Sequence, residues 1–304
     1  MIEASVIIPT YNRGNLLKLV LEALFKQDYP KDRYEIIVVD DGSTDNTEGL
    51  IDSFDKPTNF SYIRLSRSGI AKARNIGIRE ARGETIVFID SDLFVTPSFL
   101  REHMKFQEGD NKIIVQGPVI HTYNLENPFI ESPKITDLSQ AFFVGGNVSI
   151  KKKYLVEAGL FDEDFKYGWD DLEIGVRLKK LGLKAVRSSS AIGYHYRPRF
   201  TPENLALCEE KERERAESAI LFYKKHPTMK VRLMTQNLPI FFFLESVLSR
   251  LIGAFFPSKE KIISYLAKEK RDLWLTLFVN FYHNLLYVNY LRKENEKFKG
   301  PNCQ

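Results

Sequence analysis

Cysteine is nearly missing from this chain. Its two copies, Cys208 and Cys303, stand far apart and without metal-type spacing. A disulfide framework or structural zinc site is therefore not expected, and a reducing compartment fits. Charge of one sign is lacking as well. Against 40 acids stand 44 Lys and Arg, a formal net charge of +4. That excess is too small to argue for nucleic acid, so any basic patch must be local. The opening segment Met1-Ile2-Glu3-Ala4-Ser5-Val6-Ile7-Ile8-Pro9 holds an acid and only a short apolar run. It reads as a buried strand and not as a signal peptide. Internal repeats and low-complexity tracts are absent from the sequence. The turn after the first strand, Pro9-Thr10-Tyr11-Asn12-Arg13, has no glycine. That excludes a dinucleotide-dependent oxidoreductase, which needs a Gly-rich turn there, and speaks against a nucleotidyltransferase with its glycine-rich basic loop.

What is present suits a folded α/β chain. The hydrophobic share is 43% of 304 residues, enough for one large domain with a smaller appendage. Residues 1 to about 120 alternate short apolar runs with helical spacing. Ser5-Val6-Ile7-Ile8 is a strand stopped by Pro9. Asn15 to Lys26 is a helix with Leu16, Leu19, Val20, Ala23 and Leu24 on one face. Glu35 to Val39 is a second strand, and Thr44 or Asp45 caps a helix reaching about Phe54. Ser61–Leu65 and Glu84–Ile89 are strands around a helix from Gly69 to Ala81. Near-continuous apolar strands separated by helices imply a parallel sheet covered on both faces. Residues 113–150 are less regular. Helices follow from Lys152 to Gly159 and from Leu172 to Leu181, and 184–197 is an extended segment and a loop.

In such sheets ligands bind beyond the carboxyl ends of the strands. Those ends carry Pro9-Thr10-Tyr11-Asn12, Asp40-Asp41-Gly42-Ser43 and Asp90-Ser91-Asp92. Two carboxylates two positions apart can present oxygens to one hard cation, Mg²⁺ or Mn²⁺, that also holds a diphosphate. A lone Asp-x-Asp is otherwise a solvated turn; its place after a buried strand favours the site.

Four segments in order then carry a resemblance: Val6-Ile7-Ile8-Pro9-Thr10-Tyr11-Asn12-Arg13, Val38-Val39-Asp40-Asp41-Gly42-Ser43-Thr44-Asp45, Ala73-Arg74-Asn75-x-Gly77 and Phe88-Ile89-Asp90-Ser91-Asp92. Together they resemble a family 2 glycosyltransferase of the GT-A fold. The likeness continues through Gly145-Gly146-Asn147 and Gly168-Trp169-Asp170-Asp171, over residues 4 to 200 or so. It implies a GT-A catalytic domain at 1–200, with a nucleotide-binding half at 1–115 and an acceptor half at 116–200. A helical extension at 201–304 follows. The activity it implies is inverting transfer of a sugar from a nucleoside-diphosphate sugar to an acceptor hydroxyl.

Residue by residue, the resemblance places Pro9, Thr10, Tyr11, Asn12 and Arg13 around the nucleotide. Asp41 would accept a hydrogen bond from the base, with Asp40 beside it, and Arg74 would meet the diphosphate or the base edge. Asp90, Ser91 and Asp92 would serve the ribose and the metal, with Asp92 as the direct ligand. Asp171 would be the general base, since an acceptor hydroxyl is a poor nucleophile until a carboxylate takes its proton. Asp170 replaces the family's usual Glu and would bind acceptor hydroxyls; the alternative is that both aspartates cap the helix at Leu172. Trp169 and the Gly145-Gly146-Asn147 loop would face the acceptor. His195 has two readings, a metal ligand as in many relatives or a structural histidine. Arg197 and Arg199 would either meet the diphosphate or be solvated.

The C-terminal stretch divides into a charged helix, Pro202 to Lys225, and two apolar, aromatic ones, Pro239 to Phe256 and Leu273 to Leu291. Glu245 and Arg250 interrupt the first, and several Asn and His the second, so neither is favoured to span a bilayer. Basic flanks (Lys268, Lys270, Arg271, Arg292, Lys293) suit a membrane surface on the cytoplasmic side, and packing on the catalytic domain or a partner subunit is the other reading. A glycan or lipid-linked acceptor is expected, nucleic acid is not, and an oligomer is left open. The rival to an enzyme is an inactive nucleotide-sugar-binding scaffold of the same fold, which predicts loss of carboxylates that Asp90, Asp92 and Asp171 retain.

Overall fold

Strand β1 (Ala4–Thr10) is buried along its whole length, so both of its faces need cover. Helix α1 (Gly14–Leu24) supplies one side: Leu17, Val20, Leu21 and Leu24 fall on one helical face and meet Val6 and Ile8. Strand β2 (Tyr34–Asp40) lies parallel to β1, and helix α2 (Thr47–Asp52) leads to strand β3 (Phe60–Arg64), parallel to β2. Helix α3 (Ile70–Glu80) crosses back to strand β4 (Thr85–Ile89), parallel to β1 on its other edge. Ile7, Ile37, Val39, Phe88, Ala73 and Ile78 form the second apolar layer on that side. A fully buried Val or Ile contributes roughly 1.5–3 kcal/mol, so the two layers fix the register of the sheet. The structure is a computed structural model that describes residues 1–109, 111–134, 137–198, 200–255, 258–269 and 272–299.

The irregular middle of the sequence holds more order than its pattern suggests. Strand β5 (Leu93–Val95), helix α4 (Phe99–Met104), and strands β6 (Ile113–Gln116) and β7 (Val119–Thr122) precede strand β8 (Asn147–Lys151). Helices α5 (Lys152–Glu157) and α6 (Asp170–Lys180) follow, then strands β9 (Lys184–Arg187) and β10 (Gly193–Tyr196). The large sheet runs β3-β2-β1-β4-β8-β6-β9, with β8 alone antiparallel to its neighbours; a small sheet runs β5-β10-β7. The expected α/β fold, a mostly parallel sheet flanked by helices with a C-terminal helical extension, is the fold observed.

Several local expectations shift. Strand β1 runs through Pro9 instead of stopping there, because pairing with β4 ends at Ile7 while pairing with β2 continues to Thr10. The Thr10 carbonyl accepts from the Asp41 N–H, so Pro9 turns its missing donor to the side with no partner. Helix α2 begins later than expected, and the Asp45 carboxylate accepts the Thr47 N–H at 3.1 Å. Helix α6 begins at Asp170, not Leu172, which puts both aspartates inside its first turn. His195 lies within β10, not in a loop after a strand.

By contacts the chain forms two units, Met1–Asp164 with Asp170–Pro198, and Phe165–Trp169 with Arg199–Gln304. The second contains a 3₁₀ turn (Pro202–Asn204) and helices α7 (Leu205–Lys225), α8 (Met229–Met234), α9 (Pro239–Phe255), α10 (Lys259–Lys268) and α11 (Asp272–Lys299). Its core gathers Ala216, Ala219, Ile220, Tyr287, Val288 and Leu291. Among the described residues no helix is long and apolar enough to cross a membrane. The expectations resting on Cys303, Phe256, Lys270 and Arg271 lie outside the described residues.

Candidate active site

The ends of β1, β2 and β4 meet at one edge of the large sheet. Asn12, left-handed at φ 51°, ties the first two ends together. Its Oδ1 accepts the Thr44 and Asp45 N–H groups at 2.7 and 3.2 Å, and its own N–H donates to Ser43 Oγ at 2.8 Å. Asp40 is fully buried. One of its oxygens accepts the Ser43 N–H at 2.8 Å and the other the Tyr62 hydroxyl at 2.5 Å, so Asp40 shapes the turn from beneath. The Asp41 carboxylate accepts the Ser68 and Gly69 N–H groups at the start of α3, at 2.7 and 2.9 Å. A helix N-terminus is where a carboxylate gains from the aligned peptide dipoles. Asp41 also pairs with Arg67, whose guanidinium lies 3.9 Å from the centre of the exposed Tyr11 ring. Thr10 Oγ1 is buried without a hydrogen-bond partner. Arg67 belongs to none of the sequence motifs, although it stands just past β3, where the strand-end rule points.

The β4 end carries Asp90 and Asp92, with Ser91 buried between them. The Leu93 N–H donates to the Asp90 carbonyl at 3.0 Å and the Tyr196 N–H to the Asp92 carbonyl at 2.9 Å. The second bond brings β10 alongside, and with it His195, whose Nε2 lies 3.2 Å from Asp92 Oδ1. Arg13 pairs with the other Asp92 oxygen. One ligand atom each from Asp90, Asp92 and His195 fall within 4.8 Å of one another. Burial pushes the Asp92 carboxyl up, but His195 and Arg13 outweigh it and hold it below the usual carboxylate range. Burial also pushes Asp90 up; Arg74 opposes this and the like charge of Asp92 adds to it. Two carboxylates and an imidazole that bring one ligand atom each to within 4.8 Å fit a divalent cation.

A second carboxylate pair, Asp170 and Asp171, meets Arg74 of helix α3. Arg74 is 3% exposed, and its Nη1 donates to Asp170 Oδ2 at 2.7 Å and to Asp171 Oδ1 at 2.8 Å. Its Nη2 is 3.9 Å from Asp90 Oδ1. One buried guanidinium therefore faces three carboxylates. Burial and then the Asp171 charge push the Asp170 carboxyl up to about 6, against Arg74. Asp171 Oδ2 accepts the Gly145 N–H at 2.8 Å. The Asp171 side chain is 26% exposed and that of Asp170 only 7%. The double glycine is a matter of close approach: a Cβ on Gly145 would sit 2.6 Å from Arg74 Nη2, and one on Gly146 2.5 Å from Asp90 Oδ2.

Asn147 points away from this edge. Its Nδ2 donates to the Pro118 and Ala191 carbonyls at 3.0 and 2.9 Å, and its Oδ1 meets His103 Nε2 at 2.8 Å. It thus fastens β8 beneath the site. His103, fully buried, has its pKa lowered to about 4 by desolvation. A cavity of about 350 Å³ opens beside the Asp90–His195 cluster, lined among others by Asp90, His121, Asp137, Ser139, Gly146 and His195. His121 and Asp137 had no signal in the sequence, because β7 and the loop after it carry no recognisable pattern. His121 reaches the cavity because β7 pairs with β10 and sets it directly opposite His195.

Trp169 belongs to the second unit. Its backbone is left-handed at φ 68°, its Nε1 donates to the Arg215 carbonyl at 3.0 Å, and its ring leans on Phe222 and Tyr287. Arg197 is exposed, with its N–H bonded to the Thr122 carbonyl. Arg199 lies outside the described residues.

A sequence model described as "Glycosyl transferase family 2" matches residues 5–158, half of the chain. The chain is 29% identical over 282 residues to the chondroitin synthase of Escherichia coli, covering 78% of this chain and 39% of that protein. It is also 29% identical over 242 residues to the uncharacterized glycosyltransferase YfnE of Bacillus subtilis (strain 168), covering 60% and 61%. The chain thus spans less than two thirds of either relative's length. Among solved structures, the mannosyltransferase PcManGT from Pyrobaculum calidifontis, in complex with GDP-Man and Mn²⁺, superposes over 96% of this chain and 86% of that one. The TM-score is 0.61 at 19% identity, a likeness of fold.

Proposed function

The chain belongs to glycosyl transferase family 2, and from that membership we propose that it transfers a sugar from a nucleoside-diphosphate sugar to an acceptor hydroxyl, with inversion, in a single displacement. The observation that carries this is the placement of two acidic groups around one buried arginine. Asp90, which clusters with Asp92 and His195, lies 3.9 Å from Nη2 of Arg74, while Asp170 and Asp171 take its Nη1.

Asp171 is the general base in this reading. Of the two aspartates it is the one with exposed surface, and the Gly145 N–H and Arg74 hold its carboxylate in one orientation. The acceptor oxygen attacks the anomeric carbon, and its proton passes to Asp171. The bond from that carbon to the diphosphate breaks on the opposite face, and the nucleoside diphosphate leaves with the electron pair. Asp170, buried beneath and raised in pKa, acts as a partner of Arg74, with the acceptor sugar above it. Tyr11, Asp41 and Arg67 form the wall on which a nucleotide base would stack and hydrogen-bond, with Thr10 Oγ1 as a further free polar atom.

Asp90, Asp92 and His195 would hold a divalent cation, and two carboxylates with one imidazole favour Mn²⁺ over Mg²⁺. When bound, such an ion offsets the charge that grows on the departing diphosphate. In this reading the acceptor is a glycan or a lipid-linked acceptor; the name chondroitin synthase gives a glycan as the product of that relative.

Purified protein with Mn²⁺ and a panel of nucleotide sugars should release nucleoside diphosphate. Asp171→Asn should lower kcat by roughly 10²–10⁴-fold, while nucleotide binding by calorimetry survives. Undiminished turnover in that variant would remove Asp171 from the base role.

A further inference from the structure

Helix α9 is apolar on two opposite sides. On the inner side Phe241 and Phe242 pack against the Tyr287–Val288 cluster, and the buried Glu245 is paired with Arg292 at 3.2 Å and accepts from Asn289 at 3.1 Å. On the outer side Ile240, Phe243, Leu244, Val247 and Leu251 are 39–63% exposed. Their spacing, i, i+3, i+4, i+7 and i+11, sets all five in one stripe about 100° wide. A helix on the surface of a soluble unit turns polar residues to that side; α9 turns its largest apolar ones.

The exposed charge on α9 itself has one sign. Along α8 and α9 the exposed charged residues are Lys230 and Arg250, and the one acid, Glu245, is buried in its ion pair. Arg250 sits beside Leu251 and one turn past Val247, at the stripe's edge. Two copies of the chain joined through this face would set like charges together, an arrangement that costs affinity. An anionic surface would be met by both the apolar stripe and its cationic rim. The 17 residues of α9 rise about 26 Å, short of the ~30 Å hydrocarbon thickness. Such a helix lies along a bilayer and does not cross it.

We propose that the outer stripe of α9 docks on an anionic lipid bilayer, lying in the plane of the headgroups with Arg250 on the phosphates. This is a property of the helical unit and stands independently of sugar transfer.

Flotation of the full chain with vesicles tests it. One set is phosphatidylcholine alone and the other carries one quarter phosphatidylglycerol. The chain should float with the anionic vesicles, less so as salt rises. The double variant Phe243→Glu/Val247→Glu should lose bound fraction on the order of ten-fold or more, with its thermal melt unchanged because both side chains are exposed. Arg250→Glu should weaken anionic binding most at low salt. Three outcomes would overturn the proposal: no flotation of the wild-type chain, undiminished flotation of the double variant, or a concentration-dependent dimer in sedimentation that the double variant abolishes without any vesicle binding.

Discussion

Replacing Arg74 by methionine removes a cation that faces Asp90, Asp170 and Asp171 together while nearly keeping the side-chain volume. The Arg74 side chain is 4% exposed and that of Asp170 7%, so the pair they make is buried on both sides. Breaking a buried ion pair by removing one partner costs about 3–5 kcal/mol, because the other charge is stranded. Asp170 has a way out, which is to bind a proton. Its carboxyl is already pushed up to about 6 with Arg74 in place, and without Arg74 it moves higher. A carboxyl raised in the folded state favours folding below its unfolded value near 3.8 and loses that contribution as pH rises through its folded value. The Arg74→Met deficit should therefore be near its full ~3–5 kcal/mol at pH 8 and clearly smaller at pH 5. Urea unfolding followed by circular dichroism at the two pH values measures it. A deficit under about 1 kcal/mol, or one equal at both pH values, would refute the reasoning. The guanidinium would then be free for a diphosphate, as the sequence alone suggested.

Two further outcomes concern the groups beneath and beside the site. His103 is buried neutral, its pKa lowered from 6.5 to about 4, so its contribution is full above pH 6.5 and is lost as pH falls toward 4. Each tenfold loss of proton affinity on folding corresponds to about 1.4 kcal/mol, so the chain should lose roughly 3 kcal/mol of stability over that window. His103→Gln should flatten most of the slope; a slope unchanged in the variant would place the acid sensitivity elsewhere. Gly146→Ala would drive a Cβ to 2.5 Å from Asp90 Oδ2, so Mn²⁺ affinity by calorimetry should fall ten-fold or more. Affinity equal to wild type would mean that Asp90 does not need its present position to hold the ion.

Much of this protein is written locally. Apolar runs of period suited to buried strands marked β1, β2 and β4, helical spacing marked α1 and α3, and the residues just past each strand marked the edge where carboxylates collect. These features depend on neighbours a few positions apart, so pattern and turn chemistry suffice to find them. Other features depend on residues that meet only after folding. Strand β8 is reversed between β4 and β6, a choice made by pairing across 58–66 positions with β4 and 32–36 with β6 and not by its own residues. Asn12 and Asp40 read as nucleotide contacts in the sequence, and what only the structure adds is that their side chains also bind the turns together. His195 reaches Asp92 because β10 aligns beside β5. Arg74 meets Asp170 and Asp171 across 96 and 97 positions. The sequence by itself determined which chemistry is carried and on which sheet edge it collects. Only the tertiary structure decided which carboxylates share a cation and which is left facing solvent, because burial and pairing set the charge of each group and neither is a property of the chain's local pattern.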